Sequence, residues 1–295
     1  MEIRKVGVIG LGQMGLGIVQ CAASAGFETV AVKATPGSTD PIRGKLDKDL
    51  GKLVSKGKMD EAAKGQLLGR IKFTAVEGDV KDCDLIVESI VEDLDTKKAL
   101  FKRLEGMISK DAILTSNTST LSITALMAGC EKKDRVAGLH FFNPAPVMKL
   151  VEVIQAFETA PAVVDTLTGF CKKIGKDPVT VQDSTGFIVN RLLTPYMLSG
   201  MRLFEQGTAS IPDIDKAMML GCNHPMGPLA LADYIGLDVV IAMSKNIYDA
   251  DRQVFTSPPH TLTRLVELGY LGRKSGKGFY DYSQNPPVAN TSLRK

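Results

Sequence analysis

Cysteine is scarce and unpatterned in this sequence. The 295 residues include five, Cys21, Cys83, Cys130, Cys171 and Cys222, an odd number with no C-x-x-C pair. That argues against both a disulfide framework and a zinc site, and no metal is expected; the thiols read as reduced packing residues. No uncharged apolar run approaches membrane-spanning length, so no membrane partner is expected. Room for a secretory leader is missing too, because Met1 is followed from Val6 by a strand-like apolar run where a basic stretch, an apolar stretch and a cleavage site would be needed. The expectation is a cytoplasmic protein. A large charge of one sign is also absent. The net charge is +3, spread over mixed-sign segments, which gives no reason to expect nucleic acid as a partner.

What is present is enough material for two hydrophobic cores. A chain of 295 residues exceeds the length at which one core usually keeps growing. Lys5 to Gly10 is a short apolar run ending in glycine, and Met14 to Ala25 is rich in small and apolar residues, closing at Gly26 as a helix would. Further strands are predicted at Thr29 to Val32, Ile71 to Thr74, Leu85 to Ile90, Ala112 to Thr115 and Val136 to Phe142, with charged helical segments between several of them. This alternation predicts an α/β fold with a Rossmann-type, doubly wound parallel sheet. An insertion at about 41–70 reads as a helical hairpin, with Asp40 as N-cap, Pro41 in the first turn and Gly57 between its two arms. Lys149 to Gln155 and Pro178 to Val181 look like additional strands.

After Asp183 to Phe187 the pattern becomes helical. The division therefore falls at 1–184, an α/β domain, and 185–295, a smaller all-helical domain. Helices are expected at Ile188 to Gln206, with Pro195 as a kink, and at Ile211 to Leu220, Leu229 to Tyr248 and Leu262 to Leu268. The tail after Ser283 is expected to be disordered.

Gly10, Gly12 and Gly15 form G-x-G-x-x-G between a strand and a helix. There the N–H groups of the loop Gly10, Leu11, Gly12, Gln13, Met14 and Gly15, with the helix dipole behind them, can receive a pyrophosphate. Alone the motif is weak, but its strand, turn and helix context favours dinucleotide binding over an ordinary tight turn. His140 stands near the end of an apolar strand that Asn143-Pro144 terminates, at the carboxyl edge where such sheets hold ligands. Glu152 interrupts the apolar run Leu150 to Ile154, and a carboxylate there is costly unless partnered. If Glu152 bonds one ring nitrogen of His140, the tautomer is fixed and the other nitrogen can accept a proton. The bland alternatives are a structural histidine and an edge carboxylate in water.

The segments V-I-G-L-G-Q-M-G-L-G-I from Val8, S-N-T-S from Ser116, H-F-F-N-P-A-P-V-M-K-L-V-E-V from His140 and G-F-I-V-N-R-L-L from Gly186 together resemble the 3-hydroxyacyl-CoA dehydrogenase family. So do H-P-M-G-P-L-A-L-A-D-Y-I-G-L-D from His224 and G-R-K-S-G-K-G-F-Y from Gly272 in its dimerising helical domain. The resemblance covers essentially the whole chain. It implies hydride transfer between a nicotinamide and a 3-hydroxyacyl-CoA/3-ketoacyl-CoA pair of the short-chain, 3-hydroxybutyryl-CoA kind, and a homodimer. His140 would be the general acid/base, Glu152 its orienting partner, and Ser119 and Asn190 the groups near the reacting oxygen, with Asn190 reaching it from the second domain. Glu92, Lys97, Asn117, Ser119 and Asn143 would line the nicotinamide half of the cofactor site, and Lys56 would meet coenzyme A. Without the family match, Glu92 and Lys97 read as a solvated helix-start pair, Ser119 as a helix cap and Lys56 as part of a solvated lysine face. His224 and His260 adjoin prolines and read as structural.

Two rivals remain at this level. A 3-hydroxyisobutyrate or 6-phosphogluconate type of dehydrogenase shares G-L-G-Q-M-G but uses a helical lysine where this chain has His-Phe-Phe-Asn-Pro. A non-catalytic structural or redox-sensing relative would not need Ser119, His140, Glu152 and Asn190 together. One position departs from the family pattern. Where NAD users carry an acidic residue at the end of the second strand, this chain has Lys33, in a register kept by Gly26, Glu28 and Val30. The reading therefore prefers NADP(H), with NAD as the alternative.

Overall fold

The computed structural model describes residues 1–293. The chain divides into two compact units, Met1–Ser184 and Thr185–Lys295.

In the first unit eight strands make one sheet: β1 (Lys5–Ile9), β2 (Glu28–Val32), β3 (Ile71–Thr74), β4 (Leu85–Glu88), β5 (Ile113–Ser116), β6 (Val136–Phe141), β7 (Leu150–Gln155) and β8 (Asp177–Gln182). Their order is β3-β2-β1-β4-β5-β6-β7-β8. The chain winds outward from β1 to β3 and then crosses to β4 on β1's other side, so a crevice opens above the carboxyl ends of β1 and β4. Strands buried on both faces explain the near-continuous apolar runs: Val6, Val8, Leu85, Val87, Leu139 and Val153 are all fully buried. The expectation of a parallel sheet needs one correction. β7 runs antiparallel to β6, paired Gly138 to Ile154 through Phe141 to Val151, because the connection 142–149 is too short for a parallel crossover.

Helices α1 (Gln13–Ser24), α2 (Asp40–Ser55), α3 (Glu61–Gly69), α4 (Leu94–Glu105), α5 (Ile123–Met127) and α6 (Pro161–Lys173) connect these strands. α2 and α3 form the expected hairpin. Its first cap position is Thr39 rather than Asp40, which is already helical. The second arm begins under Asp60, whose side chain accepts the Ala63 N–H at 2.6 Å.

The second unit holds α7 (Val189–Glu205), α8 (Ile211–Gly221), α9 (Pro228–Ile235), α10 (Leu237–Asp251) and α11 (His260–Glu267). Met197, Leu198, Leu229, Ala232, Val240 and Leu262 form its core. The predicted single helix Leu229 to Tyr248 is two helices, because Gly236 adopts φ +106° and breaks the ladder. The tail is also more structured than expected. β9 (Tyr280–Asp281) pairs with β10 (Val288–Ala289), and Asn290 is buried with its side chain donating to the Gly278 carbonyl at 2.8 Å. No helix among the described residues is long and apolar enough to cross a membrane.

Candidate active site

The glycine loop leaves β1 at the crevice with little steric freedom. A Cβ at Gly10, where φ is +96°, would stand 2.3 Å from the Ser89 carbonyl oxygen, and one at Gly15 would stand 1.8 Å from that of Gly10. Both must be glycine for the loop to close against β4 and α1. Gly12 meets nothing within 4 Å, so its bare backbone faces open space at the N-terminus of α1, as close approach of a pyrophosphate requires. The loop borders a cavity of about 780 Å³ that also takes in Lys33, Thr35, Ser89 and Arg103. Size, glycine placement and helix dipole all fit a dinucleotide.

Lys33 follows directly on β2, its N–H donating to the Thr74 carbonyl at 2.8 Å. Its ammonium turns back over the next loop and donates to the Pro36 carbonyl at 2.7 Å. Among the described residues that line the cavity the one carboxylate is Glu77, which Arg103 engages at 3.0 and 3.2 Å.

At the other end, strand register brings together two residues that the sequence marked separately. His140 and Glu152 are direct partners across the β6 and β7 ladder, and His140 Nδ1 lies 2.7 Å from Glu152 Oε2. Both are buried, at 5% and 1% exposure. A carboxylate accepts, so Nδ1 carries the proton and Nε2 is the basic nitrogen. Phe142 packs on the imidazole, with ring centroids 4.6 Å apart.

Of the remaining expected residues of this unit, Gln13, Asn117, Asn143, Ser119, Glu92 and Lys97 lie toward the same sheet edge, and Lys56 does not. Gln13 Nε2 donates to Asn143 Oδ1 at 3.0 Å, tying the glycine loop to the turn after β6. Asn117 accepts the Phe141 N–H at 2.8 Å and so holds β5's end to β6. Glu92 accepts the Ser119 N–H at 3.0 Å and the Thr118 hydroxyl. Lys97 reverses its bland reading: its side chain is 1% exposed, 2.6 Å from Glu88 and 3.3 Å from Glu92, so this is no solvated pair. Lys56 is exposed at the turn between α2 and α3. Asn190 lies in the first turn of α7, in the second unit.

Some polar residues that organise this region were not marked from sequence. Glu88, wholly buried, closes the apolar run L-I-V-E, and the reasoning that singled out Glu152 applied to it equally. Asp183 caps α5 from a distance, accepting the Ser122 hydroxyl at 2.8 Å and the Thr124 N–H at 2.7 Å. Nothing local in the sequence announces that contact. His224 Nδ1 meets the Tyr196 hydroxyl at 2.9 Å. Among the described residues no group of three His, Cys, Asp or Glu could hold a metal ion.

A Rossmann-type sheet with a glycine cradle, and a buried imidazole and carboxylate at its edge, defines the class of nicotinamide-dependent oxidoreductases. The family model described as the 3-hydroxyacyl-CoA dehydrogenase NAD binding domain matches residues 5–184, and that of the C-terminal domain matches residues 186–282. The chain belongs to the 3-hydroxyacyl-CoA dehydrogenase family. It is 46% identical over 281 residues to the 3-hydroxybutyryl-CoA dehydrogenase of Clostridioides difficile, covering 95% of this chain and 100% of that one. It is 41% identical over 287 residues to the mitochondrial hydroxyacyl-coenzyme A dehydrogenase of Sus scrofa, covering 95% and 91%. The crystal structure of (S)-3-hydroxybutyryl-CoA dehydrogenase from Ralstonia eutropha superposes with a TM-score of 0.92 at 40% identity, over 96% of this chain and 100% of that one. The 3-hydroxyisobutyrate type of dehydrogenase is set aside by these matches.

Proposed function

We infer that the chain interconverts a short-chain 3-hydroxyacyl-CoA, of the 3-hydroxybutyryl kind, and its 3-keto form. The observation that carries this reading is the buried contact of 2.7 Å between His140 Nδ1 and Glu152 at the edge that also bears the glycine cradle. When bound, a nicotinamide supplies or accepts the hydride at C3. His140 Nε2 takes the 3-hydroxyl proton in oxidation and returns it in reduction, and Glu152 stabilises the imidazolium that forms. Ser119, held by Glu92, serves the reacting oxygen, where donors stabilise developing charge. Asn117, Asn143, Glu92 and Lys97 shape the nicotinamide end, and Lys56 serves the phosphates of coenzyme A.

The cofactor is NADP(H). Lys33 places an ammonium on the cavity wall at the end of β2, where a carboxylate would repel a 2′-phosphate, and Glu77 is already neutralised by Arg103. A hydrogen bond to a charged group is worth about 1.5–3 kcal/mol, so one lysine can move preference by roughly ten- to a hundredfold. Acetoacetyl-CoA incubated with NADPH or NADH, followed by nicotinamide absorbance, tests both statements. Oxidation of NADPH with the higher kcat/KM is expected, and Lys33→Asp should move preference toward NADH. No turnover with either cofactor would overturn the activity and favour a non-catalytic relative. Preference for NADH in the parent would overturn the cofactor assignment alone.

A further inference from the structure

Glu88 is wholly buried at the end of β4, where an unpartnered carboxylate would be prohibitive. Its contacts all go to the segments that build the site's edge. Oε1 accepts from Lys97 Nζ at 2.6 Å and from the Ile90 N–H at 2.6 Å, and Oε2 accepts the Ser116 hydroxyl at 2.6 Å. Ser116 Oγ in turn accepts the Thr118 N–H at 3.1 Å. One carboxylate thus joins the end of β4, the first turn of α4 and the loop after β5.

Lys97 stands between two carboxylates at unequal distances, 2.6 Å to Glu88 and 3.3 Å to the half-exposed Glu92. Because Glu88 takes the shorter contact, Glu92 keeps Oε1 for the Thr118 hydroxyl and the Ser119 N–H. We propose that Glu88 is a positioning residue: through Lys97 and Ser116 it sets the place of Glu92 and the loop Ser116–Thr120, and hence of Ser119 beside the reacting oxygen. The proposal rests on the reading of Ser119 given above. Without the Glu88 charge, the buried ammonium draws Glu92 toward itself and away from the loop, since a desolvated cation holds whatever anion remains.

The test uses the full-length protein with Glu88→Gln, Ser116→Ala, Lys97→Met and the Glu88→Gln/Lys97→Met double variant. Activity on acetoacetyl-CoA, thermal unfolding and amide hydrogen exchange across residues 116–122 are measured for each. Glu88→Gln should lower kcat by about ten- to a hundredfold with the acyl thioester KM within about threefold, and Ser116→Ala should lower kcat by about three- to tenfold. Exchange at the 116–122 segment should accelerate in both, with the strands keeping parental protection. The double variant should lose no more than the worse single variant. A folded Glu88→Gln with kcat within about twofold of the parent, a loss carried by KM alone, or multiplicative singles would overturn the proposal. So would unchanged exchange at 116–122. If Glu88→Gln fails to fold, Ser116→Ala decides on the same terms. An inactive parent would overturn the functional reading instead, and the exchange comparison would then decide the role of Glu88 by itself.

Discussion

His140 and Glu152 meet where neither is diluted by water, so each sets the chemistry of the other. His140→Ala should lower kcat by roughly a hundredfold to ten-thousandfold, the usual range for a general acid/base. Glu152→Gln keeps the size of the side chain but can present the wrong atom to Nδ1, and should lower kcat substantially as well. Since Glu152 works through the imidazole, the double variant should be no slower than the slower single one, and independent, multiplying losses in steady-state kinetics would sink the coupling. Both residues were legible beforehand because each breaks a local rule, an imidazole at a strand end and a carboxylate in an apolar strand. Glu88 breaks the same rule inside the strand predicted at Leu85 to Ile90, and only the fold shows the lysine and serine that partner it. Lys97 was visible only through family resemblance, because a lysine at the start of a charged helix looks solvated until the fold buries it. The thiols also follow burial. It pushes Cys83, Cys130 and Cys171 up to about 12, which removes the reactive thiolate, while Cys222 is exposed. A thiol reagent should therefore label Cys222 rapidly in the native protein and the other four only on unfolding. Rapid labelling of more than one thiol by intact-mass analysis would contradict this.

At the scale of elements, the carboxy-terminal segment is held to α9 by a carboxylate. Asp233 accepts the N–H groups of Phe279 and Tyr280, each at 2.9 Å, and the Tyr282 hydroxyl at 3.1 Å. Gly272 and Gly278 press against it so closely that a Cβ on either would fall 2.1–2.2 Å from its atoms, which gives G-R-K-S-G-K-G-F-Y a packing reason for its glycines. Asp215 on α8 faces the same group, accepting the Leu229 and Ala230 N–H groups and the Tyr280 hydroxyl. Burial, with Asp215 adding to it against three opposing hydrogen bonds, pushes the Asp233 carboxyl up to about 6. The folded protein then binds more protons than the unfolded chain between about 4 and 6, so this group's contribution is fully present below that window and is lost as pH rises through it. The stability advantage of the parent over Asp233→Asn should shrink by roughly 3 kcal/mol between pH 4 and pH 7, about two pH units at 1.36 kcal/mol each. Urea unfolding at several pH values measures it, and an advantage that stays level or grows would refute the assignment. The tail was misread from sequence because its short strands lack a hydrophobic period. The part after Ser283 is ordered by the pairing of β10 with β9 and by Asn290 donating to the Gly278 carbonyl, contacts that no local pattern reveals.

For the whole molecule, periodicity was a good guide to what repeats locally and a poor one to what depends on connection length. Alternation of strand and helix pointed to the winding of the sheet, and the glycine spacing to its crevice. The reversal at β7 follows from a short connection whose consequence appears only in three dimensions, and the break at Gly236 depends on a backbone angle that an apolar run masks. The second unit leaves Leu192, Leu220, Val254 and Leu268 each more than 60% exposed. The family resemblance and the frequency of two-fold pairing among soluble oligomers make a homodimer the proposal to test. Light scattering should give about twice the 31.7 kDa of one chain, and a mass of one chain at working concentration would exclude it.

The antiparallel ladder of β6 and β7 has a consequence for how such a site can diverge. The distance between imidazole and carboxylate is set by hydrogen-bond register, and the length of the hairpin loop at 142–149 does not enter it. Insertions or exchanges in that loop can reshape what the crevice admits while the couple stays intact. A single residue added within either strand instead puts a neighbouring apolar side chain, Val151 or Val153, opposite His140 and turns Glu152 to the other face. The loop is constrained where Phe142 packs on the imidazole and Asn143 ties it to the glycine loop, and elsewhere it tolerates changes of length that the strands cannot, so the chemistry is inherited as a unit of two strands.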